Sequence, residues 1–211
     1  MKFLNYDSPF MTFARNLVDY VTLGLLWIFF CIPVFTGGAA TTAALLTAEL
    51  CLRKEEGKML PTFWKWFKKE FKEATLLWLI HFPVTILLIY NVWMISVAEM
   101  GTWLRILILV SSGLVFCWVQ LWYGYLSKFE DRIKTVLSNT FRMSLANIGR
   151  VFLLGVISAL HLFATVALFL VMPPLLILVP GSFLLCYTPI IGKIFAKYIP
   201  KPEEEEALAE A

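Results

Sequence analysis

Apolar runs of about 20 residues dominate this 211-residue chain and restrict what it can fold into. A helix of that length crosses the ~30 Å hydrocarbon core of a bilayer. Hydrophobic residues make up 60% of the chain and charged residues 16%, whereas soluble domains have roughly half and a quarter. We therefore predict an all-α, polytopic membrane helix bundle in a single domain, 1–200. Its six transmembrane helices are expected at 16–33, 38–53, 74–98, 102–127, 151–172 and 175–195.

The basic residues predict how this bundle is oriented. If the N-terminus is inside, every lysine and arginine except Arg105 falls on the inner side. Cytoplasmic loops are enriched in these residues, so both termini are expected in the cytoplasm. No small-residue cleavage site closely follows the first apolar run, and its helix is expected to remain as an anchor. The acidic segment 201–211 is expected to be a disordered tail.

Two inner segments have the pattern of amphipathic helices. In the first, 61–74, aromatic residues occupy one face and lysines the opposite face: Phe63, Trp64, Phe67 and Phe71 against Lys65, Lys68, Lys69 and Lys72. The second, 129–148, repeats the pattern more weakly. Aromatics opposite lysines are typical of a helix in the headgroup plane, so we predict two cytoplasmic interfacial helices. The alternative is that one of them docks a cytoplasmic partner.

Small residues occupy the start of the second span. The positions of interest are Pro33, Thr36, Gly37, Gly38, Thr41 and Thr42. Small side chains let membrane helices pack closely, and Thr36 is suited to capping the second helix. We predict tight helix packing here. Contact with a small ligand or a partner at the helix start is the alternative, because helix N-termini favour anions.

Four charged residues are expected near the inner mouth of the first two helices. Asp19 lies four residues after Arg15, and Glu49 lies four residues before Arg53. Residues at this spacing are neighbours on a helix surface. We predict a latch of four charges; a binding site on the cytoplasmic side is the alternative.

The segment from the first span onward resembles the YesL-like family of small bacterial integral-membrane proteins, a family of unknown function. The matching residues are Leu25, Leu26, Trp27, Pro33, Thr36, Gly38, Ala39, Ala40, Thr41, Thr42 and Ala43, followed by Phe67, Phe71, Lys72, Ala74, Thr75 and Leu76. Gly37 replaces an aliphatic residue of the family pattern. The resemblance implies a bacterial cytoplasmic membrane and a gene setting beside carbohydrate ABC importers, and it supplies no established activity.

Motifs for chemistry are not found in the sequence. It has no P-loop and no grouping of catalytic residues, so we expect no enzyme activity, cofactor, metal or nucleic-acid partner. His81 and His161 are single polar residues in spans and are expected to form interhelical hydrogen bonds. We predict a non-catalytic accessory subunit or partner of a carbohydrate ABC import system, contacting lipid and permease or ATPase subunits. A small stand-alone transporter or channel is the alternative, and a homo-oligomer is left open.

Overall fold

The computed structural model describes residues 9–54 and 56–199, except for the side chains of residues 9, 10, 12 and 13. The predicted tail, 201–211, lies outside the described residues. The helices are α1 (Pro9–Cys31), α2 (Gly37–Thr47), α3 (Met59–Val97), α4 (Thr102–Val119), α5 (Leu121–Leu126), α6 (Ile133–Ala146), α7 (Ile148–Val171) and α8 (Val179–Phe195). Short turns of 3-10 helix precede α2 and α8, and a π-helical turn, Ala48–Arg53, follows α2.

The predicted fold class is confirmed. Within the described part of the chain, six helical stretches are long and apolar enough to cross a membrane: Ala14–Cys31, Val34–Arg53, Met59–Val97, Thr102–Leu126, Ile148–Val171 and Pro173–Phe195. Much of their surface is apolar and exposed, as expected for helices that face lipid. The chain is therefore a multi-pass helical protein of membrane type.

The first amphipathic segment differs from the prediction in its boundaries. Residues 61–74 are not a separate helix but the beginning of α3, which runs unbroken for 39 residues, or about 58 Å. Neither glycine nor proline interrupts 62–82, and Ala74 and the leucines after it favour helix continuation. The second segment is a separate helix, α6, but it is shorter than the predicted 129–148.

Helix α2 is the centre of the bundle. All of its residues except Thr41 are buried, and its neighbours include α1, α3, α5 and α8. The approach to α3 is closest at Gly38, where an added Cβ atom would overlap the Ala74 carbonyl oxygen and lie 2.9 Å from the Trp78 Cβ. Small side chains permit this separation in a membrane-type bundle. The helix is thus enclosed by its neighbours rather than lining an open space.

A second close approach joins α1 to α8. An added Cβ at Gly24 would lie 2.7 Å from the Gly181 backbone nitrogen, and one at Gly181 would lie 2.7 Å from the Tyr20 carbonyl oxygen. Pro180 stands in the first turn of α8, where its missing N–H costs no intrahelical hydrogen bond. The Pro180-Gly181 pair therefore begins a helix and does not interrupt one.

Candidate functional site

The ends of several helices meet at one pole of the bundle, which we call the basic end. It comprises the π-helical turn after α2, Lys54 and residues 56–58, the start of α3, the loop 127–132 between α5 and α6, helix α6 with Asn147 after it, and the end of α8 with the residues that follow. Ion pairs and hydrogen bonds connect these parts to one another. Most of the candidate residues lie here.

The predicted latch of four charges is replaced by a different ion pair. Glu49 pairs with Lys128 of the α5–α6 loop, and the two side chains are only 14% and 11% exposed. Arg53 instead lies beside Gly192 of α8, with its Nη1 atom 3.1 Å from the position of an added Cβ. Arg15 and Asp19 line a separate cleft on α1. Glu49 pairs with Lys128 because α5 packs on α2, which places the residue just after α5 next to the Glu49 carboxylate.

The loop 127–132 is held by two further polar contacts. Glu130 forms an ion pair with Lys69 of α3. The Tyr125 hydroxyl donates to Asp131 Oδ2 at 2.5 Å and accepts from Asn139 Nδ2 of α6 at 2.8 Å. Together with the Glu49 pair, these contacts join the loop to the π-helical turn after α2, to α3 and to α5, and Tyr125 joins α5 to α6.

At the start of α3, one face of the helix is buried in the protein core and the opposite face is exposed. Phe63 and Phe67 are 1% and 7% exposed, and their rings lie 5.2 and 4.9 Å from that of Phe30 in α1. On the opposite side, four lysines are exposed and form what we call the lysine face: Lys65, Lys68, Lys69 and Lys72. Trp64 and Phe71 are also exposed. The phenylalanines therefore anchor this segment to protein instead of to headgroups.

Cation–π contacts order part of the lysine face. The ammonium groups of Lys65 and Lys69 lie 5.7 and 4.6 Å from the Trp66 ring, and that of Lys68 lies 4.8 Å from the Trp64 ring. Such contacts orient a cation without neutralising its charge. Among the described residues, only Lys69 of the four forms an ion pair. The face consequently keeps a strong positive charge.

At the corner between α1 and α2, a threonine hydroxyl forms hydrogen bonds to carbonyl oxygens that precede it in the sequence. The Thr36 hydroxyl contacts the carbonyl oxygens of Phe30 at 2.5 Å and Pro33 at 2.6 Å, and makes no capping bond to α2. This corrects the predicted capping role: the end of α1 leaves free carbonyls that the hydroxyl satisfies. Thr41 accepts from Trp27 Nε1 at 3.0 Å and ties α2 to α1.

Of the remaining predicted positions at the corner, the glycines and Thr42 are used in packing and Pro33 is not. Gly37 lies against the ring of Trp78, and the buried Thr42 hydroxyl donates to the Gly38 carbonyl at 3.1 Å. Pro33 is exposed at the turn. The structure therefore brings the corner residues together around helix contacts.

The two histidines are hydrogen-bonded within the bundle. His81 Nδ1 lies 2.8 Å from the Tyr123 hydroxyl, which joins α3 to α5. His161 Nδ1 lies 2.9 Å from the Ile157 carbonyl oxygen of its own helix, and its Nε2 lies 3.3 Å from the Ser182 hydroxyl of α8. Both rings thus have polar partners, which suits side chains in a membrane-type interior.

Sequence reasoning missed several polar residues at the basic end. Lys128, Asn139 and Asn147 connect different elements, and Glu70 is 5% exposed beside the Lys69–Glu130 pair. Two cavities were also not predicted: a cleft of about 450 Å³ beside α6 with a mixed polar and apolar lining, and an apolar groove of about 480 Å³ between α4, α6 and α7. Their walls come from segments distant in sequence, so no local pattern signals them.

Comparison with known proteins gives one similarity. A family model described as "Protein of unknown function, DUF624" matches residues 20–92, about a third of the chain. No curated protein and no solved structure matches. The matched range contains most of α1, all of α2 and most of α3. Over the helices that carry the corner, the close α2–α3 contact and the lysine face, the chain is therefore similar to a family of unknown function.

Proposed function

We propose that this chain is a non-catalytic membrane protein that acts as an accessory partner of a carbohydrate ABC import system. In this proposal the basic end faces the cytoplasm of a bacterium, and the lysine face binds an acidic surface on a permease or ATPase subunit. The support consists of the YesL-like resemblance, the charge distribution, and the geometry of the start of α3.

The lysine face is the observation that carries the proposal. Phe63 and Phe67 are buried against Phe30, so the segment has one fixed rotational orientation on the bundle. Lys65, Lys68 and Lys72 are exposed and form no ion pair within the described residues. A basic surface of fixed orientation, on which Lys69 alone is paired among the described residues, favours recognition of an acidic partner, since complementary charge steers and selects association.

The position of the basic end supports the cytoplasmic assignment. Lysine and arginine are enriched on the cytoplasmic side of membrane proteins. The exposed residues Lys54, Lys58, Lys134 and Arg132 belong to the same pole as the lysine face. A partner that reaches this surface would be a cytoplasmic subunit or the inner loop of a permease.

The packed centre weighs against a stand-alone transporter or channel. Such proteins bind substrates near the bilayer midplane, often at broken helices. Here α2 is buried on nearly all sides, and its contact with α3 at Gly38 leaves no room for a methyl group. The two places where proline and glycine occur together near a helix are not breaks within a helix: Pro180 begins α8, and the corner before α2 is closed by Thr36.

Affinity purification in mild detergent from cells that express the importer tests the proposal. Mass spectrometry of the purified complex is expected to find permease or ATPase subunits of a carbohydrate importer together with this chain. Recovery of this chain alone, as a monomer or homo-oligomer, from cells that contain the importer would contradict an accessory role and favour a stand-alone protein.

A further inference from the structure

A cleft of about 450 Å³ with a mixed polar and apolar lining lies between α6, the end of α5 and the residues that follow α8. Neither the proposed function nor the family similarity assigns it a role. Among the residues that the structure describes, its lining contains one charged residue, which is basic, and no acidic residue: Tyr125, Phe129, Asn139, Arg142, Met143, Ala146 and Tyr198. The cleft is therefore a donor-rich pocket at the basic end.

Hydrogen bonds fix the two walls of this cleft. On one side, Asn139 Nδ2 donates to the Tyr125 hydroxyl at 2.8 Å, and that hydroxyl donates to Asp131. On the other side, Asn147 Nδ2 donates to the Tyr198 hydroxyl at 3.0 Å and to the Met143 carbonyl at 3.1 Å. These hydrogen bonds join the residues of each wall to one another.

The cleft presents donors and positive charge. Arg142 is exposed and, within the described residues, forms no ion pair. The Tyr198 hydroxyl accepts a hydrogen bond from Asn147. It donates to no acceptor among the described residues, so its own proton can be donated to a ligand. Lys197 Nζ lies 3.3 Å from Asn147 Oδ1 and adds a second cation next to the wall. Within the described part of the chain, the one carboxylate hydrogen-bonded to a lining residue is that of Asp131, which accepts the Tyr125 proton.

From these contacts we propose that the cleft binds a phosphate group. The Arg142 guanidinium supplies a planar fork that matches two phosphate oxygens. The Tyr198 hydroxyl and the second amide proton of Asn139 supply further donors, and the rings of Tyr125 and Phe129 flank whatever the phosphate carries. The same chemistry serves a soluble phosphate monoester and the headgroup of an anionic phospholipid.

Two parallel measurements on the full chain test this site and separate the two sources. In the first, the chain in phosphatidylcholine nanodiscs is titrated with inorganic phosphate by calorimetry. In the second, its melting temperature is compared in nanodiscs of phosphatidylcholine and of phosphatidylglycerol. Arg142→Gln is the test variant. Arg132→Gln is the control, because Arg132 is also exposed but does not line the cleft.

Loss of one charged donor pair is expected to weaken binding about tenfold or more. Phosphate affinity that falls by this factor in Arg142→Gln and stays within twofold in Arg132→Gln supports a soluble ligand. A rise in melting temperature with phosphatidylglycerol that Arg142→Gln alone abolishes supports a lipid headgroup. Arg142→Lys retains the positive charge but lacks the two parallel N–H donors of the guanidinium. It is expected to bind phosphate with an affinity between those of the wild type and Arg142→Gln.

The proposal is overturned if the wild-type chain neither binds inorganic phosphate nor gains stability from phosphatidylglycerol. It is also overturned if Arg142→Gln and Arg132→Gln weaken binding equally, because the effect then comes from overall charge. Neither measurement involves an importer, so the result is independent of the proposed function.

Discussion

Gly38 in α2 lies against Ala74 in α3 so closely that a side chain at Gly38 would overlap the Ala74 carbonyl oxygen. The atom that would be displaced belongs to the backbone of a 39-residue helix and cannot rotate away. This contact sets the separation of the central helix from its largest neighbour. The stability of the whole bundle depends on it.

Replacing Gly38 by alanine is therefore expected to destabilise the protein. Overpacking of this kind typically costs ~1–3 kcal/mol, and the detergent-solubilised protein should melt at a lower temperature. Gly113→Ala in α4 is the matched control, because nothing lies within 4 Å of its added Cβ. That control should melt at the wild-type temperature or slightly above it, since alanine favours helix. If the two variants have the same melting temperature, the α2–α3 contact is looser than described.

Breaking the Glu49–Lys128 pair is expected to cost about 3 kcal/mol, the lower end of the range for a buried pair that loses one partner. Either Glu49→Gln or Lys128→Gln should lower the melting temperature, because the remaining charge stays largely enclosed. Exchanging the two residues should restore part of the loss. Arg53→Gln should have little effect. If Arg53→Gln is as damaging as Glu49→Gln and Lys128→Gln is neutral, the pairing expected from sequence is the correct one.

The hydrogen bond from Trp27 to Thr41 is expected to hold the corner together. Thr41→Val leaves the indole N–H without its acceptor in apolar surroundings, at a cost of ~1–3 kcal/mol. Thr22→Val is the control, because the Thr22 hydroxyl bonds only within its own helix and is exposed. Thermal unfolding of both variants in detergent measures the difference. Equal unfolding temperatures would mean that the bond adds nothing to stability.

The membrane orientation can be tested by labelling single cysteines. The four native cysteines are first replaced by serine, and cysteine is then placed at the exposed positions Gly101, Lys58 or Lys134. A membrane-impermeant maleimide should label position 101 in intact cells and the other two only after permeabilisation, because the basic end is expected inside. Labelling at position 58 in intact cells would reverse the proposed topology.

The spans were predictable because their signal is local. Each apolar run is long enough to cross a bilayer, so composition and length alone identify six helices. The boundary inside α3 was not predictable in the same way. The amphipathic part and the apolar part are both good helix formers, so one helix runs through both. The local pattern does not show that Phe63 and Phe67 pack on Phe30 of α1 instead of on headgroups.

The candidate site shows the limit of sequence reasoning more clearly. Four-residue spacing suggested that Glu49 pairs with Arg53, but Lys128 reaches Glu49 through the packing of α5 on α2. The role of Thr36 was also misassigned, because a hydroxyl at a helix start can bond either helix, and only the fold selects between them. Both outcomes depend on contacts between segments that are distant in sequence.

The central claim is that the lysine face binds an acidic partner, and a charge reversal tests it most directly. Lys65, Lys68 and Lys72 are changed to glutamate, and Lys69 is kept because it pairs with Glu130. The control reverses the same number of charges at exposed positions off the face, Lys58, Lys134 and Lys193. Both variants are then purified in mild detergent from cells that express the importer.

The measurement is the amount of importer subunit that co-purifies with each variant. Like charges brought together at a contact cost several kcal/mol, so the lysine-face variant should lose its partner while its melting temperature stays near the wild-type value. The control variant should retain the partner. Full retention of importer subunits by the lysine-face variant would contradict the account.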